Sequence, residues 1–236
     1  IMKKIIFFIS LATLIFSAPS YTGLTGGIDF PSAYILIDRN YTISGIISSV
    51  DGDLQGDFVV ESNLIPKIEA GIKLSTGKEE FDSSFLQSNF KFQLVGETET
   101  NPAIAIGFAE FDEYESQADK DKELLVDSSD AYAFLVMSKR ISLTNSSMIG
   151  TMGVTFSRTN DESDVDGFIA LDTPLSSLIR MTTEFYSYDD NNDLKLSGNL
   201  GFEFLTADNF RTQVFWRERN NSIGVSINYI GILNNK

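Results

Sequence analysis

The feature that most constrains this chain is a two-residue alternation of apolar and polar side chains, which recurs along most of its 236 residues. Residues 67–74 show it most clearly, with Ile68, Ala70, Ile72 and Leu74 on one face and Lys67, Glu69, Gly71 and Lys73 on the other. Because successive side chains of a β-strand point to opposite faces, this period predicts strands with one apolar and one polar face. Such strands, repeated along an exported chain, are typical of a closed barrel in lipid.

Alternating stretches separated by clusters of Asp, Asn, Gly and Ser predict the strands of this barrel. They are 40–50, 56–63, 66–74, 85–96, 102–112, 130–140, 148–158, 165–173, 177–188, 193–204, 209–217 and 222–232. The connections after odd-numbered strands are acidic and often long, whereas those after even-numbered strands are mostly short. This difference favours an N-terminus in the periplasm and longer loops outside. The predicted fold class is all-β, an antiparallel up-and-down transmembrane β-barrel of about 12 strands.

The first residues have the layout of a secretory signal. Lys3 and Lys4 precede an apolar stretch at 5–16, and the small residues Ser17 and Ala18 follow it. This stretch is too short for a membrane helix, which needs about 20 residues. We therefore expect a signal peptide over 1–20, an N-terminal periplasmic or lumenal element over 21–40, and an outer-membrane barrel over 41–236. A soluble lipocalin-like barrel would alternate in the same way, with its apolar face inside.

The composition excludes several classes of chemistry. The chain contains no Cys and no His, which excludes disulfides, thiolate chemistry and Ser-His-Asp catalysis. A formal net charge of −15 argues against nonspecific binding to nucleic acid. Neither a paired-carboxylate motif nor a phosphate-binding glycine loop occurs. We therefore expect no enzyme activity, no cofactor and no metal site.

Charged residues collect on the polar face of the predicted strands, and we expect them to face the lumen. They are Lys67, Glu69, Lys73, Lys91, Lys139, Arg180, Glu184, Lys195, Glu203, Arg211 and Arg217. Basic residues outnumber acidic ones in this set, so a lumen lined by it would favour anions or acidic sugars. The alternative is that these groups pair with each other, or with a carboxylate of the N-terminal segment, and fill a narrow interior.

The longest predicted loop, at 110–130, is strongly acidic. Its carboxylates could bind divalent cations that bridge surface polysaccharide. The alternative is that the loop is only a solvated, charged connection. The sequence alone leaves both possibilities open.

The stretch 22–38 joins a glycine-rich turn to a short Pro-Ser-Ala element before the first strand. This opening resembles that of YjbH-like outer-membrane β-barrel proteins, through Gly26, Gly27, Ile28, Pro31, Ser32 and Ala33. Segments 65–72 and 102–107 resemble later segments of the same family. Ser32 stands where the family usually has Thr, and residues 38–40 replace its Pro-x-Gly turn.

The resemblance implies a short single-barrel member of an exopolysaccharide-associated family. Its implied function is non-enzymatic and accessory to export or assembly of envelope polysaccharide. The implied partners are outer-membrane lipid, polysaccharide and export-machinery proteins. Two alternatives stay open: a small anion-leaning porin, and a structural or adhesive surface protein that uses its acidic outer loops.

Overall fold

The computed structural model describes residue 20 and residues 24–36, 40–50, 53–76, 84–112, 131–142, 147–159, 162–190, 193–219 and 221–232. Twelve strands lie in these ranges and form one closed barrel. They are β1 (Asn40–Val50), β2 (Asp53–Ile65), β3 (Ile68–Thr76), β4 (Ser84–Val95), β5 (Ala103–Asp112), β6 (Tyr132–Ser142), β7 (Ser147–Thr159), β8 (Glu162–Pro174), β9 (Ile179–Asp190), β10 (Asp193–Ala207), β11 (Phe210–Arg217) and β12 (Ser222–Ile232).

Every strand pairs antiparallel with its neighbours in the sequence, and pairing between β1 and β12 closes the ring. The closing register runs from Asn40 opposite Ile232 to Ser49 opposite Ile223. Closure leaves no sheet edge with unpaired backbone groups, which is the condition for a sheet to lie in lipid. The predicted fold class is therefore confirmed.

The apolar face of the strands points outward and the charged face points inward. On β3, Ile72 is 51% exposed and Leu74 is 41% exposed, whereas Glu69 and Lys73 are buried. In water, this much exposed hydrocarbon would be unfavourable at about 25 cal/mol per Å², but acyl chains cover it in a bilayer. The orientation is the reverse of that in a soluble barrel, so the lipocalin-like alternative is wrong.

The connections between β2 and β3 and between β10 and β11 are two-residue turns at the proposed periplasmic end. In the first turn, Lys67 has φ of 69° and is exposed, and its carbonyl accepts a hydrogen bond from Gln93 N at 2.9 Å. The prediction that Lys67 faces the lumen is therefore wrong, because β3 begins one residue later. Most of the acidic loop, at 113–130, lies outside the described residues. Within the described part, no helix is long and apolar enough to cross a bilayer.

Residues 24–36, called here the plug, form a compact turn ahead of β1. Gly26 and Pro31 form an antiparallel bridge, and Ser32 N donates to Thr25 O at 2.9 Å. A Cβ on Gly26 would lie 2.2 Å from Phe30 O, so this turn requires glycine there. The glycine-rich stretch of the sequence thus serves a tight turn.

Candidate functional site

The tip of the plug is fastened to the barrel wall by one buried carboxylate, that of Glu184 on β9. Glu184 accepts hydrogen bonds from the backbone N–H groups of Ile28 at 2.6 Å, Asp29 at 3.0 Å and Phe30 at 3.4 Å. Asn199 on β10 donates to Glu184 Oε2 at 2.8 Å and to Asp29 Oδ2 at 2.9 Å. Successive N–H groups that converge on one anion form a backbone nest. The backbone N–H groups of the plug therefore form an anion-binding nest, and the Glu184 carboxylate of the wall occupies it.

The base of the plug is held by a second buried carboxylate, that of Glu69 on β3. It accepts from Thr25 N, Thr25 Oγ1 and Leu36 N, each at 2.8 Å. Lys91 on β4 lies 2.8 Å from Glu69 Oε1 and donates to Thr25 O at 2.9 Å. Glu69 and Lys91 are both fully buried, and charge-assisted hydrogen bonds of this kind are the strong ones. The Glu69–Lys91 ion pair thus holds the plug at Thr25, near its first residue, and at Leu36, its last.

Further polar contacts join the plug to other parts of the wall. Ala33 N donates to Ser138 Oγ on β6 at 2.8 Å, and Ala33 O accepts from Gln93 Nε2 on β4 at 2.9 Å. Asn63 Nδ2 on β2 donates to Leu36 O at 2.7 Å. Because these partners lie on strands all around the ring, the plug crosses the lumen.

The connection between β4 and β5 lies at the proposed periplasmic end of the barrel, called here the lower rim. There the phenol of Tyr34 donates to Glu97 Oε2 at 2.7 Å. Burial, and then the bond to the Glu97 carboxylate, raise the pKa of Tyr34 well above its usual value. The phenol therefore keeps its proton, and this hydrogen bond, across the physiological pH range.

Apolar packing fills the space between these polar contacts. Leu24 and Ala33 of the plug are fully buried in a cluster with residues of β5, β6, β8 and β9. These wall residues are Ala103, Ala105, Ala109, Phe134, Val136, Phe168 and Tyr186. Ile28 packs in a second cluster with Ile46, Val59 and Phe215. The plug therefore fills most of the lumen at its level and leaves a cleft of about 340 Å³ between itself and strands β7 to β9.

Most of the charged residues predicted to face the lumen are buried there. Glu69, Lys73, Lys91, Glu184, Glu203, Arg211 and Arg217 are all 6% exposed or less. Arg211 pairs with Glu203 at 2.6 Å, Arg180 with Asp172 at 2.6 Å, and Arg217 with Asp29 of the plug at 3.6 Å. Lys195 lies exposed at the outer end of β10, and Lys139 lies at the lower rim near Glu97.

Sequence reasoning missed several inward-facing carboxylates. Asp57 and Glu61 on β2 are buried, and Asp172 on β8 faces Arg180. The sequence signal for Asp57 was the apolar Phe58 next to it, which is exposed on the lipid-facing side of β2. Since adjacent strand residues face opposite ways, an outward Phe58 places Asp57 inside. With these carboxylates counted, buried acidic and basic groups nearly balance. The interior therefore lacks the basic excess that the sequence predicted.

The closed antiparallel ring, with its apolar face outward and its charged face inward, is the architecture of a transmembrane β-barrel. Among solved structures, the chain is similar to the KdgM porin, with a TM-score of 0.57, 11% identity, and coverage of 80% of this chain and 98% of that one. It is also similar to the NanC porin, with a TM-score of 0.52, 7% identity, and coverage of 82% and 100%.

A further similar structure is the outer membrane protein Omp33 of Acinetobacter baumannii, with a TM-score of 0.50, 10% identity, and coverage of 83% and 99%. At these identities the likeness shows the fold alone. No family model matches the sequence. No curated protein matches it either.

Proposed function

We propose that this chain is a closed outer-membrane barrel, without enzymatic activity, that assists export or assembly of envelope polysaccharide. The observation that supports the proposal is the plug, which fills most of the lumen and is bonded to its wall. A general diffusion porin needs a continuous water path, whereas here the plug is bonded to strands all around the ring. A barrel closed in this way is suited to a role other than constant passive transport.

The polysaccharide part of the proposal has two supports. The glycine-rich opening and two strand segments resemble the YjbH-like family, which is associated with exopolysaccharide. In addition, the fold is similar to that of the KdgM porin, one structure of which is a complex with disordered oligogalacturonate, at a TM-score of 0.56 and 10% identity. Both supports concern a carbohydrate polymer at the outer membrane.

The test is deletion of the gene in its own host, with surface and secreted polysaccharide measured as uronic acid and total hexose. We expect a reduced amount that the full-length chain restores. The matched control is complementation with an Ile72→Lys variant, whose charge on the lipid-facing side impairs the barrel itself. Unchanged polysaccharide in the deletion strain would contradict the proposal.

A second candidate is a gated, anion-leaning porin, in which the plug is a movable gate. The observation that favours gating is the polar wall, since Lys73, Arg211 and Arg217 line the interior where apolar residues would suffice for filling. An anion preference would follow from release of the plug, because release takes the Asp29 carboxylate away from Arg217. Planar-bilayer recordings separate the two candidates. The proposed function predicts silent membranes for the wild type, whereas a gated porin predicts discrete openings with anion preference.

A further inference from the structure

A row of aromatic side chains crosses the interior from the plug toward the outer end of β9. Phe30 of the plug stacks on Phe168 with ring centroids 4.4 Å apart, and its centroid lies 5.1 Å from that of Tyr186. Tyr186 contacts Tyr188, two residues further along β9, at 6.2 Å. Because residues two apart on a strand share a face, Tyr188 also faces the interior. These four rings, Phe30, Phe168, Tyr186 and Tyr188, are called here the aromatic track.

An arginine stands at the outer end of the aromatic track. Arg219, in the turn between β11 and β12, places its guanidinium carbon 4.7 Å from the centroid of the Tyr188 ring. The turn is fixed over β10, because Glu218 Oε2 accepts from Gly198 N at 2.9 Å and Glu218 N donates to Gly198 O at 3.1 Å. Lys195 lies opposite Tyr188 in the β9–β10 register. Two basic residues therefore lie next to Tyr188, Arg219 by a contact with its ring and Lys195 by the strand register.

The outer end of the aromatic track is accessible and its inner end is closed. Arg219 is exposed and Tyr188 is half-buried, whereas Tyr186 and Phe168 are buried. Within the described part of the chain, Arg219 contacts the Tyr188 ring and no carboxylate, and the carboxylate of the neighbouring Glu218 accepts from Gly198 N instead. Its N–H donors are therefore available to a ligand that approaches from outside.

This combination of groups matches the chemistry of an acidic sugar. One face of a sugar ring presents C–H groups that pack against an aromatic face, and its polar edge stays hydrated. A guanidinium presents a planar fork of donors that binds a carboxylate bidentately. Among the described residues, Tyr188 through the exposed part of its ring and Arg219 through its N–H donors therefore offer both halves of the contact that a uronate residue requires.

We propose that Tyr188 and Arg219, with Lys195 beside them, form a site at the outer mouth that binds an acidic sugar unit of a polysaccharide. The aromatic track continues the site inward and ends on Phe30, so the plug is its floor. Ligand enters and leaves on the outer side only. This inference rests on the proposed function and names the class of polysaccharide that the barrel contacts.

The experiment is isothermal titration of the purified full-length barrel in detergent micelles with hexagalacturonate, and with maltohexaose as the neutral probe of equal length. We expect hexagalacturonate to bind and maltohexaose to bind at least tenfold more weakly. Arg219→Gln removes a charge-assisted bidentate contact and should weaken hexagalacturonate binding about tenfold or more. Tyr188→Leu should weaken it about tenfold, because the C–H face of the sugar loses the aromatic surface against which it packs.

Lys139→Gln, at the lower rim, is the matched control and should leave the affinity unchanged. Heat-dependent migration in gel electrophoresis verifies that each variant is folded. Equal affinities for the two glycans, equal affinities of the Arg219→Gln variant and the wild type, or no binding by the wild type would each overturn the site.

These failures are distinguishable from failure of the proposed function. If the site is wrong but the function is right, the deletion strain still loses polysaccharide. If the function is wrong but the site is right, the deletion strain keeps its polysaccharide, while hexagalacturonate still binds through Arg219 in the purified protein.

Discussion

The Glu184 carboxylate determines how firmly the plug is docked, and Glu184→Gln tests this directly. The glutamine keeps the volume and one acceptor oxygen. If that oxygen takes the place of Oε1, the bonds from Ile28 N and Phe30 N become neutral, whereas Asp29 N and the Asn199 amide face an NH2 group that cannot accept. Hydrogen bonds to a charged acceptor are worth about 1.5–3 kcal/mol and neutral ones about 0.5–1.5 kcal/mol. A loss of about 1 kcal/mol for each of the two neutral bonds, and of about 1 kcal/mol or more for the lost acceptor of Asp29 N, totals at least about 3 kcal/mol, which is about 100-fold in the docking equilibrium.

The absence of cysteine in the chain makes this equilibrium measurable. Ser32→Cys places one thiol in the plug at a position that is 7% exposed, with almost no change in side-chain size. The rate of maleimide labelling then reports how often the plug leaves the wall. We expect the Ser32→Cys/Glu184→Gln variant to label about 100-fold faster than Ser32→Cys alone, if undocking precedes labelling.

The matched control is Glu203→Gln in the same Ser32→Cys background. Glu203 is also a buried carboxylate on the wall, but it pairs with Arg211 on the neighbouring strand. Its loss should leave the labelling rate within about twofold of the parent, because distant sites add independently. Equal acceleration by both variants would mean that general loosening of the barrel is being measured. An unchanged rate in the Glu184→Gln variant would refute the docking argument.

Three further predictions concern the plug, the buried ion pair and the lipid face. Gly27→Ala places a Cβ 2.1 Å from Glu184 Oε1 and should speed Ser32→Cys labelling, whereas Gly45→Ala, with nothing within 4 Å, should not. Lys91→Met leaves the Glu69 carboxylate buried without its cation and should lower the free energy of unfolding by about 3–5 kcal/mol in urea titrations, against little change for Lys139→Met. Ile72→Lys, in the middle of β3, should lower the same quantity by about 2–4 kcal/mol in vesicles, and an effect below 1 kcal/mol would argue against a lipid-facing Ile72.

The barrel was predictable because the bilayer imposes one rule on every strand. Apolar side chains must face acyl chains, so the alternation carries both the strand positions and their orientation. Each predicted strand end lies within three residues of the observed one. One of these small differences changes the orientation of a predicted lumen residue. Lys67 has a positive φ and belongs to the turn, so β3 begins at Ile68 and not at residue 66 as the alternation predicted.

The docking of the plug was not predictable from any local pattern. The bond from Thr25 N to Glu69 joins residues 44 apart, and the bond from Ile28 N to Glu184 joins residues 156 apart. A period of two residues states that Glu69 and Glu184 face inward, but it does not state what they meet there. The sequence therefore predicted the inward direction of both carboxylates and left open whether water, a cation or backbone N–H groups would satisfy them.

Three residues, 37–39, separate Leu36, the last described residue of the plug, from Asn40 at the start of β1. A connection this short reaches no more than about 10–15 Å, even when fully extended. A released plug would thus stay at the end of the barrel where β1 begins, at an effective concentration of millimolar or higher, and would return quickly. Any opening of this barrel would be brief and self-resealing unless a bound partner held the plug away from the wall.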